Sequence, residues 1–421
     1  MNVTLINTDD AGGGASAACM RLLKALESKE IDAQMQVQEK KTNEQLVESV
    51  ATDFWSRMEV RFNFLFERMP FIWFRAKNRS VRFAFSPADI GSDITDQPAV
   101  ATADLLHLHW TNGGFLSIKN LKQLFQMNKP MVWTLHDMWA FTGGCHYSGE
   151  CDHFKNECGN CWMLRNPGSE DLSFRGLMRK KYMLKAAKKI VFVTPSHWLA
   201  KVAASSSLLK DFRIETIPNP IDTEIFSPIE DPNLRSKLNI GANSKVILFG
   251  AANILDRRKG LNYLVEALHI LKDNYARSHE VEIVIFGKNK AFDTQSLPFR
   301  VHEAGIVRSQ EEMAALYNIA DVFVTPAIED NLPNTVMEAM ACATPVVAFN
   351  TGGIPDMIDH FSNGYLAEYQ SSADFATGIR FVLNAAGGKL STNARKKVLE
   401  NFTSEIVAEK YITVYESLLT K

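Results

Sequence analysis

Two carboxylates, Asp330 and Glu338, stand eight residues apart in the chain and could together bind a ligand that carries hydroxyl and phosphate groups. A short apolar strand precedes them at 321–325, and another follows at 346–349. A strand, a loop, a helix and a strand within about thirty residues predict a βαβ unit, and ligands bind at the carboxyl ends of such strands. Amide groups that open the helix attract phosphate, whereas Glu338, expected in its opening turn, can accept two ribose hydroxyl groups.

This segment resembles the paired-acid signature of the retaining GT-B glycosyltransferases of family 4 (glycosyl transferases group 1), of the bacterial surface-polysaccharide type. The resemblance implies that Glu338 binds the ribose of a nucleotide-diphosphate sugar and that Asp330 binds hydroxyl groups of the transferred sugar. Aspartate stands where the family usually has glutamate, so the adjacent Glu329 is a second candidate for that acid. The resemblance implies further donor contacts from Asn331, Leu332, Asn334, Gly352 and Gly353.

A basic turn, Arg257 to Gly260, precedes the first helix of the second half. Cations at a helix N-terminus oppose the helix dipole, so this turn favours a bound anion, with a solvated turn as the alternative. It resembles the family's Arg/Lys pair for pyrophosphate, which implies that Lys259 and Arg258 neutralise the departing diphosphate. The arginine that the family usually has directly after the strand is missing here.

The first strand runs into a glycine-rich loop, Gly12 to Gly14, that opens a helix. Glycines let the backbone approach a ligand and direct N–H groups at it, although a plain tight turn also explains them. With Ala17 and Glu39 the loop matches a weak dinucleotide-binding pattern. The family resemblance instead implies that Gly13 and Gly14 lie near the donor phosphates and the acceptor.

Histidines mark the ends of two expected strands, 105–110 and 131–136. His136 resembles the family's strand-end histidine, which implies that it contacts the transferred sugar. His107 and His109 alternate along their strand and therefore face the same side. His109 is a further substrate-binding candidate, while His107 is expected to be structural; a packed or capping residue is the alternative for His136.

An insert at 145–161 carries four cysteines in the pattern C-x5-C-x6-C-x2-C: Cys145, Cys151, Cys158 and Cys161. Four thiols in a loop without an obvious core favour structural zinc, with His146 and His153 as substitutes for one ligand. Four reduced cysteines that simply pack are an equal alternative. A catalytic zinc at this site is not expected, because four thiolates leave no open position. The family resemblance implies transfer without a catalytic metal.

Residues 54–85 interleave seven Arg or Lys side chains with ten aromatic ones and only two Glu. This composition suits an anionic lipid surface. The alternative is a helix pair whose aromatic side chains pack inward while the arginines face water.

The bulk composition is that of a globular chain: 421 residues, 46% hydrophobic and 22% charged, with a net charge of −2. Such a length predicts two or three domains, and such a charge gives no reason to expect nucleic acid as a partner. The chain opens directly on a strand, and no apolar run approaches the roughly 18 to 20 residues that a bilayer span needs. We therefore expect a cytoplasmic protein, with peripheral contact at the inner face of the membrane as an extension of the lipid-surface hypothesis.

Strand-like runs alternate with helical periodicity, which predicts an α/β chain with parallel sheets. The pattern agrees with the GT-B fold that the family resemblance implies, in which two Rossmann-like, doubly wound domains face a central cleft. The expected domains are an acceptor-side domain at 1–220, a nucleotide-sugar-binding domain at 221–403, and a closing helix at 404–421 that packs back on the first domain.

The family resemblance implies a glycosyltransferase that moves a sugar, with retention of anomeric configuration, from a nucleotide-diphosphate sugar to a glycan or a lipid-linked oligosaccharide. A nicotinamide-dependent oxidoreductase built on the glycine loop and Glu39 is one alternative, and a sugar-nucleotide isomerase is another. A non-catalytic binding module stabilised by zinc is the last, and the intact donor-site residues argue against it.

Overall fold

A computed structural model describes residues 1–229, 233–288, 292–385 and 388–420. Contacts within the chain divide it into two compact units. The first unit comprises Met1–Pro218 and Val407–Lys421, and the second comprises Asn219–Ile406. The division falls in the proline-rich segment that separates the two series of strands.

A parallel sheet of seven strands forms the first unit. The strands are β1 (Asn2–Ile6), β2 (Asp32–Val37), β3 (Val47–Ser49), β4 (Leu105–Leu108), β5 (Met131–Thr134), β6 (Ile190–Thr194) and β7 (Ile214–Thr216). Their order in the sheet is β3-β2-β1-β4-β5-β6-β7. The helices are α1 (Gly14–Glu27), α2 (Phe54–Pro70), α3 (Pro98–Thr102), α4 (Ile118–Gln126), α5 (Leu172–Leu184) and α6 (His197–Ala204).

A parallel sheet of six strands forms the second unit. The helices are α7 (Leu234–Lys237), α8 (Leu261–Asn274), α9 (Gln310–Ile319), α10 (Asn334–Ala341), α11 (Ser372–Asn384) and α12 (Lys389–Asn401). The strands are β8 (Lys245–Asn253), β9 (Val281–Lys288), β10 (Arg300–Gly305), β11 (Val322–Thr325), β12 (Val346–Phe349) and β13 (Gly364–Ala367). Their order is β10-β9-β8-β11-β12-β13.

Both sheets are covered on their two faces, which explains why the central strands are apolar along their whole length. In β4 every residue is buried, with Leu106 and Leu108 in one core cluster and Leu105 in another. In the second unit Val346 and Val347 divide between two clusters in the same way. The prediction of two α/β units with parallel sheets is confirmed.

The last helix, α13 (Ser404–Leu419), packs on the sheet of the first unit from Val407 onward. Its apolar stripe joins the core cluster of β1 through these side chains: Val407, Ala408, Tyr411, Val414 and Tyr415. None of the helices in the described parts of the chain combines the length and apolar character that crossing a membrane needs.

The observed strands differ from the expected ones in two respects. The edge strands β3, β10 and β13 were not predicted, since β3 has only three residues, β10 is half-exposed and polar, and β13 begins with glycine. The expected strands 105–110 and 131–136 end two residues early, at Leu108 and Thr134. His109 and His136 therefore lie in the loops just beyond the strands.

Candidate functional site

Three loops meet at the carboxyl ends of β8, β11 and β12, which are neighbours in the second sheet. Gly260, at φ +65°, lies so close to the carbonyl oxygen of Pro326 that a Cβ would stand 1.9 Å from it. Gly352, at φ +57°, approaches the carbonyl oxygen of Asp330 in the same way, and Gly353 donates its N–H to that oxygen at 3.1 Å. These contacts lock the loops together, and only glycine fits the two close approaches.

Lys259 and Asp330 form an ion pair at this junction, with Nζ 2.6 Å from Oδ2. The backbone N–H of Asn331 donates to Oδ1 of Asp330 at 2.9 Å. Burial by itself raises the pKa of Asp330, but Lys259, Arg258 and the Asn331 N–H outweigh it and lower that pKa. The acid is therefore ionised at neutral pH and holds a cation beside it.

Arg258 lies in the same basic turn. Its guanidinium pairs with Asp256 at 2.8 Å, and its carbonyl accepts the N–H of Ile328 at 2.8 Å. The backbone of the basic turn is thus bonded to the loop that carries Glu329 and Asp330. Glu329 is half-buried in that loop.

Glu338 is buried in α10, where Oε2 accepts the hydroxyl of Tyr317 at 3.1 Å. It lies in the second turn of the helix rather than the opening turn that we expected, because α10 begins at Asn334, directly after the extended Pro333. The side chain of Asn334 accepts from Asn219 at 3.1 Å, and Leu332 is buried in the core.

In the first unit the loops after β1, β4 and β5 meet, and these strands are also neighbours. Thr8 donates its N–H to the carbonyl of Trp110 at 2.8 Å, and Trp110 donates its own N–H to Oδ1 of Asn7 at 3.0 Å. Beyond Asn7 the glycine loop is exposed, and Gly13 is the N-cap of α1. Gly14 is the first residue of that helix.

Three histidines stack at this edge of the sheet. Nδ1 of His109 lies 2.9 Å from Nε2 of His136, and the rings of His107 and His109 have centroids 4.2 Å apart, on the same side as predicted. His107 is fully buried between Tyr415 and Thr134, which bond its two ring nitrogens at 2.7 and 2.8 Å. Burial lowers the pKa of His107 to about 3 and of His136 to about 4, and it also lowers the pKa of His109. All three rings are neutral at pH 7.

A buried chain of hydrogen bonds beside this cluster was not predicted from the sequence. Nδ1 of His146 lies 2.7 Å from Oδ2 of Asp137, and Nε2 lies 2.8 Å from Oγ of Ser86. Both ring nitrogens of His146 are therefore hydrogen-bonded, and binding to zinc would require His146 to give up one of these bonds. The one signal in the sequence was that an acid, Asp137, directly follows His136.

The four cysteines of the insert remain free thiols in the structure. Burial raises the pKa of Cys145 and raises the pKa of both Cys158 and Cys161 to about 11; neighbouring thiols add to each shift. Across the described ranges, no group of three or more His, Cys, Asp or Glu side chains is arranged to hold a metal ion. The geometry therefore gives the zinc hypothesis no support.

The aromatic side chains of residues 54–85 are mostly exposed. Phe71 and Phe85 pack inward, but eight others have exposed fractions between 47% and 79%: Phe54, Trp55, Phe62, Phe64, Phe66, Trp73, Phe74 and Phe83. The alternative in which the aromatic side chains of this segment pack inward is therefore wrong for most of them. We call this set the aromatic face.

Two family models together match most of the sequence: Glycosyltransferase Family 4 over residues 12–225 and Glycosyl transferases group 1 over residues 230–400. D-inositol 3-phosphate glycosyltransferase of Corynebacterium jeikeium is 28% identical over 222 residues, which are 49% of this chain and 52% of that enzyme. The putative colanic acid biosynthesis glycosyl transferase WcaC of Escherichia coli is 23% identical over 353 residues, which are 82% of this chain and 83% of that protein. The crystal structure of HepE from Anabaena in complex with UDP and glucose is similar with a TM-score of 0.65 at 16% identity, and the similarity covers 99% of this chain and 100% of HepE. The chain therefore has the GT-B fold and belongs to the glycosyltransferases of family 4, the glycosyl transferases group 1.

Proposed function

We propose that this glycosyltransferase takes its sugar from a nucleotide-diphosphate sugar and transfers it, with retention of anomeric configuration, to a glycan or a lipid-linked oligosaccharide. The observation that carries the proposal is the ion pair of Lys259 and Asp330 at the meeting point of three loops. UDP and glucose bound to HepE support a nucleotide-sugar donor, and similarity to the colanic acid biosynthesis protein WcaC supports a polysaccharide acceptor.

The second unit has the groups that a diphosphate needs. The ammonium of Lys259 has three donors, and Asp330 engages one of them while fixing its position. A diphosphate that reaches Lys259 meets a cation that is already ordered, so little side-chain entropy is lost on binding. Arg258 in the same turn adds a second positive charge, and the turn at Gly352 and Gly353 lies against the same loop.

The two acids are assigned to hydroxyl groups. Each oxygen of Asp330 keeps a lone pair after it accepts from Lys259 or Asn331, so the carboxylate can still accept a hydroxyl of the transferred sugar. Tyr317 orients the carboxylate of Glu338, which we assign to the ribose. Glu329 and the amide groups of Leu332 and Asn334 are assigned as further donor contacts.

In a retaining transfer without a catalytic metal, the protein mainly orients the substrates and neutralises the charge of the diphosphate. As the bond between the anomeric carbon and the phosphate oxygen breaks, the acceptor oxygen forms the new bond to that carbon on the same face of the ring and gives its proton to the departing phosphate oxygen. Lys259 and Arg258 stabilise the charge that develops on the diphosphate.

Groups of the first unit are assigned to the sugar and the acceptor. His136 is assigned to the transferred sugar, and Gly13 and Gly14 to the phosphate or acceptor side. The backbone of Gly13 is extended, and no described atom lies within 4 Å of where its Cβ would stand. Neither strain nor packing in the chain requires glycine there; the missing side chain leaves room for a ligand at the backbone, and glycine is also favoured at a helix N-cap.

The aromatic face is proposed as a peripheral contact with the inner face of a membrane. Five exposed cations accompany it: Arg57, Arg61, Arg75, Lys77 and Arg79. Aromatic rings favour the interface, and cations favour anionic headgroups. An enzyme that extends a lipid-linked glycan would work at such a surface.

A structural zinc on Cys145, Cys151, Cys158 and Cys161 is a separate proposal that rests on their spacing alone. Elemental analysis of protein purified without added metal decides it. One zinc per chain would establish the site, and a stoichiometry near zero would dismiss it.

Thermal-shift screening against nucleoside diphosphates and their sugars tests the donor site. A ligand that binds only the folded protein raises its melting temperature. Glu338→Ala should abolish the shift and the turnover. Glu400→Ala is a matched control, because Glu400 is exposed and pairs with Lys396 on the surface of α12.

The alternative functions are not favoured, since glycosyltransferase models match both halves of the chain. An oxidoreductase would respond to NADH rather than to UDP or GDP in a fluorescence titration. An isomerase would turn over the donor with no acceptor present.

A further inference from the structure

Three polar atoms of one loop are buried without a hydrogen-bond partner among the described residues. They are Nε2 of His109, Oγ1 of Thr111 and Nδ2 of Asn112. The three residues are 3%, 1% and 2% exposed. A buried polar atom without a partner is costly, so three in four consecutive residues need an explanation.

All three residues line one small cavity, together with His136 and Asp137. The space open to the centre of a water molecule there is about 10 Å³, which is room for about one water. Buried waters occupy such places because they bond to several polar groups at once.

The loop around the cavity is held firmly. Thr8 donates its hydroxyl to the carbonyl of Asn112 at 2.9 Å, and Nε1 of Trp133 donates to the carbonyl of His109 at 3.1 Å. His109 N–H also donates to the carbonyl of Ile6 at 2.8 Å. The backbone is therefore bonded to neighbouring elements on both sides of Thr111.

We propose that one ordered water binds His109, Thr111 and Asn112 in this cavity and, through His109, holds the ring of His136 as its Nδ1–H tautomer. His109 is then a positioning residue for His136. Participation of His136 in sugar transfer rests on the proposed function, whereas the tautomer of His136 does not.

Counting donors and acceptors selects the tautomer. The amide of Asn112 can only donate to the water, and the hydroxyl of Thr111 can donate or accept. If Nε2 of His109 accepts, the water takes protons from Asn112 and Thr111 and gives one to His109, so all three atoms are satisfied. If Nε2 of His109 donates, it and Asn112 fill both lone pairs of the water, and the proton of Thr111 is left without a partner.

The selected arrangement continues to His136. When Nε2 of His109 accepts, Nδ1 of the neutral His109 carries the proton and donates it to Nε2 of His136, 2.9 Å away. His136 is neutral as well, so its own proton must be on Nδ1. Two neutral imidazoles and one water therefore define a single direction for the hydrogen bonds.

Nitrogen NMR of the full chain labelled with ¹⁵N-histidine tests the proposal at pH 7, without substrate. Two-bond proton–nitrogen correlations show which ring nitrogen is protonated, and the spectrum of His136→Asn identifies the signals of His136. We expect protonation on Nδ1 of His136. Protonation on Nε2 overturns the proposal whether or not the protein transfers sugar.

Thr111→Val removes the hydroxyl with little change in size and so removes the group that selects the tautomer. We expect part of the His136 population to shift to the Nε2–H form. Thr4→Val is the matched control, because Thr4 is buried in β1 and its hydroxyl bonds to Ala99 and Gln34, away from the cavity lining. Equal tautomer populations in wild type and Thr111→Val would contradict the role of the water.

The two readouts separate this proposal from the proposed function. If the wild-type protein transferred no sugar, the result of the tautomer measurement would be unaffected. Conversely, an Nε2–H tautomer of His136 in an active enzyme would refute the roles of the water and His109 but would leave the donor-site assignments unaffected.

Discussion

Nζ of Lys259 lies 2.6 Å from Oδ2 of Asp330, a residue 71 positions later in the chain. Burial raises the pKa of Asp330, but Lys259 and the neighbouring groups lower it overall, so the pair is ionic at neutral pH. The pair connects the loop after β8 with the loop after β11. A cation for the diphosphate and an acid for the sugar are therefore positioned by each other.

Lys259→Met should reduce transfer on the order of 10²- to 10³-fold, the usual effect of removing one group that stabilises developing negative charge. It should also raise the pKa of Asp330, because the buried acid loses its cation. Initial rates with the nucleotide sugar chosen by thermal shift measure the first effect. Lys397→Met, which breaks a more exposed pair with Asp359, should leave the rate unchanged. Equal rates in wild type and Lys259→Met would reject the diphosphate assignment.

Tyr317→Phe should weaken nucleotide binding by about threefold to tenfold, since it removes one hydrogen bond worth on the order of 1 kcal/mol. The buried hydroxyl donates to Oε2 of Glu338 and so helps to orient the carboxylate. Isothermal titration with the nucleoside diphosphate measures the change. Tyr365→Phe is a matched control, because it loses a hydroxyl contact with Asp374 in the same unit. If both variants had the same affinity for the nucleoside diphosphate, the assignment of Glu338 to the nucleotide would be rejected.

Stability should fall as the pH drops from about 6.5 toward 4. The unfolded chain binds protons on its histidines below about pH 6.5, whereas His107 and His136 stay neutral until about pH 3 and 4 in the folded protein. The unfolded state therefore binds more protons in this window, and stability rises with pH across it. Urea denaturation at several pH values measures the slope.

Variants assign that slope to the buried rings. His107→Asn should flatten it, because the fully buried ring no longer contributes. His269→Asn should keep it, since His269 is exposed on α8. A slope unchanged in His107→Asn would show that other groups cause it.

The aromatic face should bind vesicles that contain anionic lipid and should bind neutral vesicles less. Replacing Trp55 and Trp73 with Ser should reduce the bound fraction, since both rings are exposed. Added salt should weaken binding, because the cations are exposed and screened. Tyr182→Ser, at an exposed aromatic residue outside the face, is the control. If vesicle binding depended neither on lipid charge nor on the two Trp substitutions, the proposal would be refuted.

Local patterns in the sequence predicted the elements that carry the site. Apolar runs predicted β8, β11 and β12, and the spacing of Asp330 and Glu338 predicted a loop and a helix between two strands. The alternation of His107 and His109 predicted that they face the same side, because side chains on a strand repeat every two residues. Such predictions succeed because strand and helix periodicity depends on near neighbours.

The sequence did not predict which distant groups pair. The bonds of Lys259 to Asp330, Tyr317 to Glu338 and His146 to Asp137 and Ser86 depend on strand order and on loop packing. Exposure of the aromatic face was also open, since the same composition fits an inward-packed helix pair. The sequence by itself determined two α/β units and the residue types at their strand ends. Only the tertiary structure decided the partners and burial of those residues, because contacts between residues far apart in the chain depend on how the sheet orders its strands.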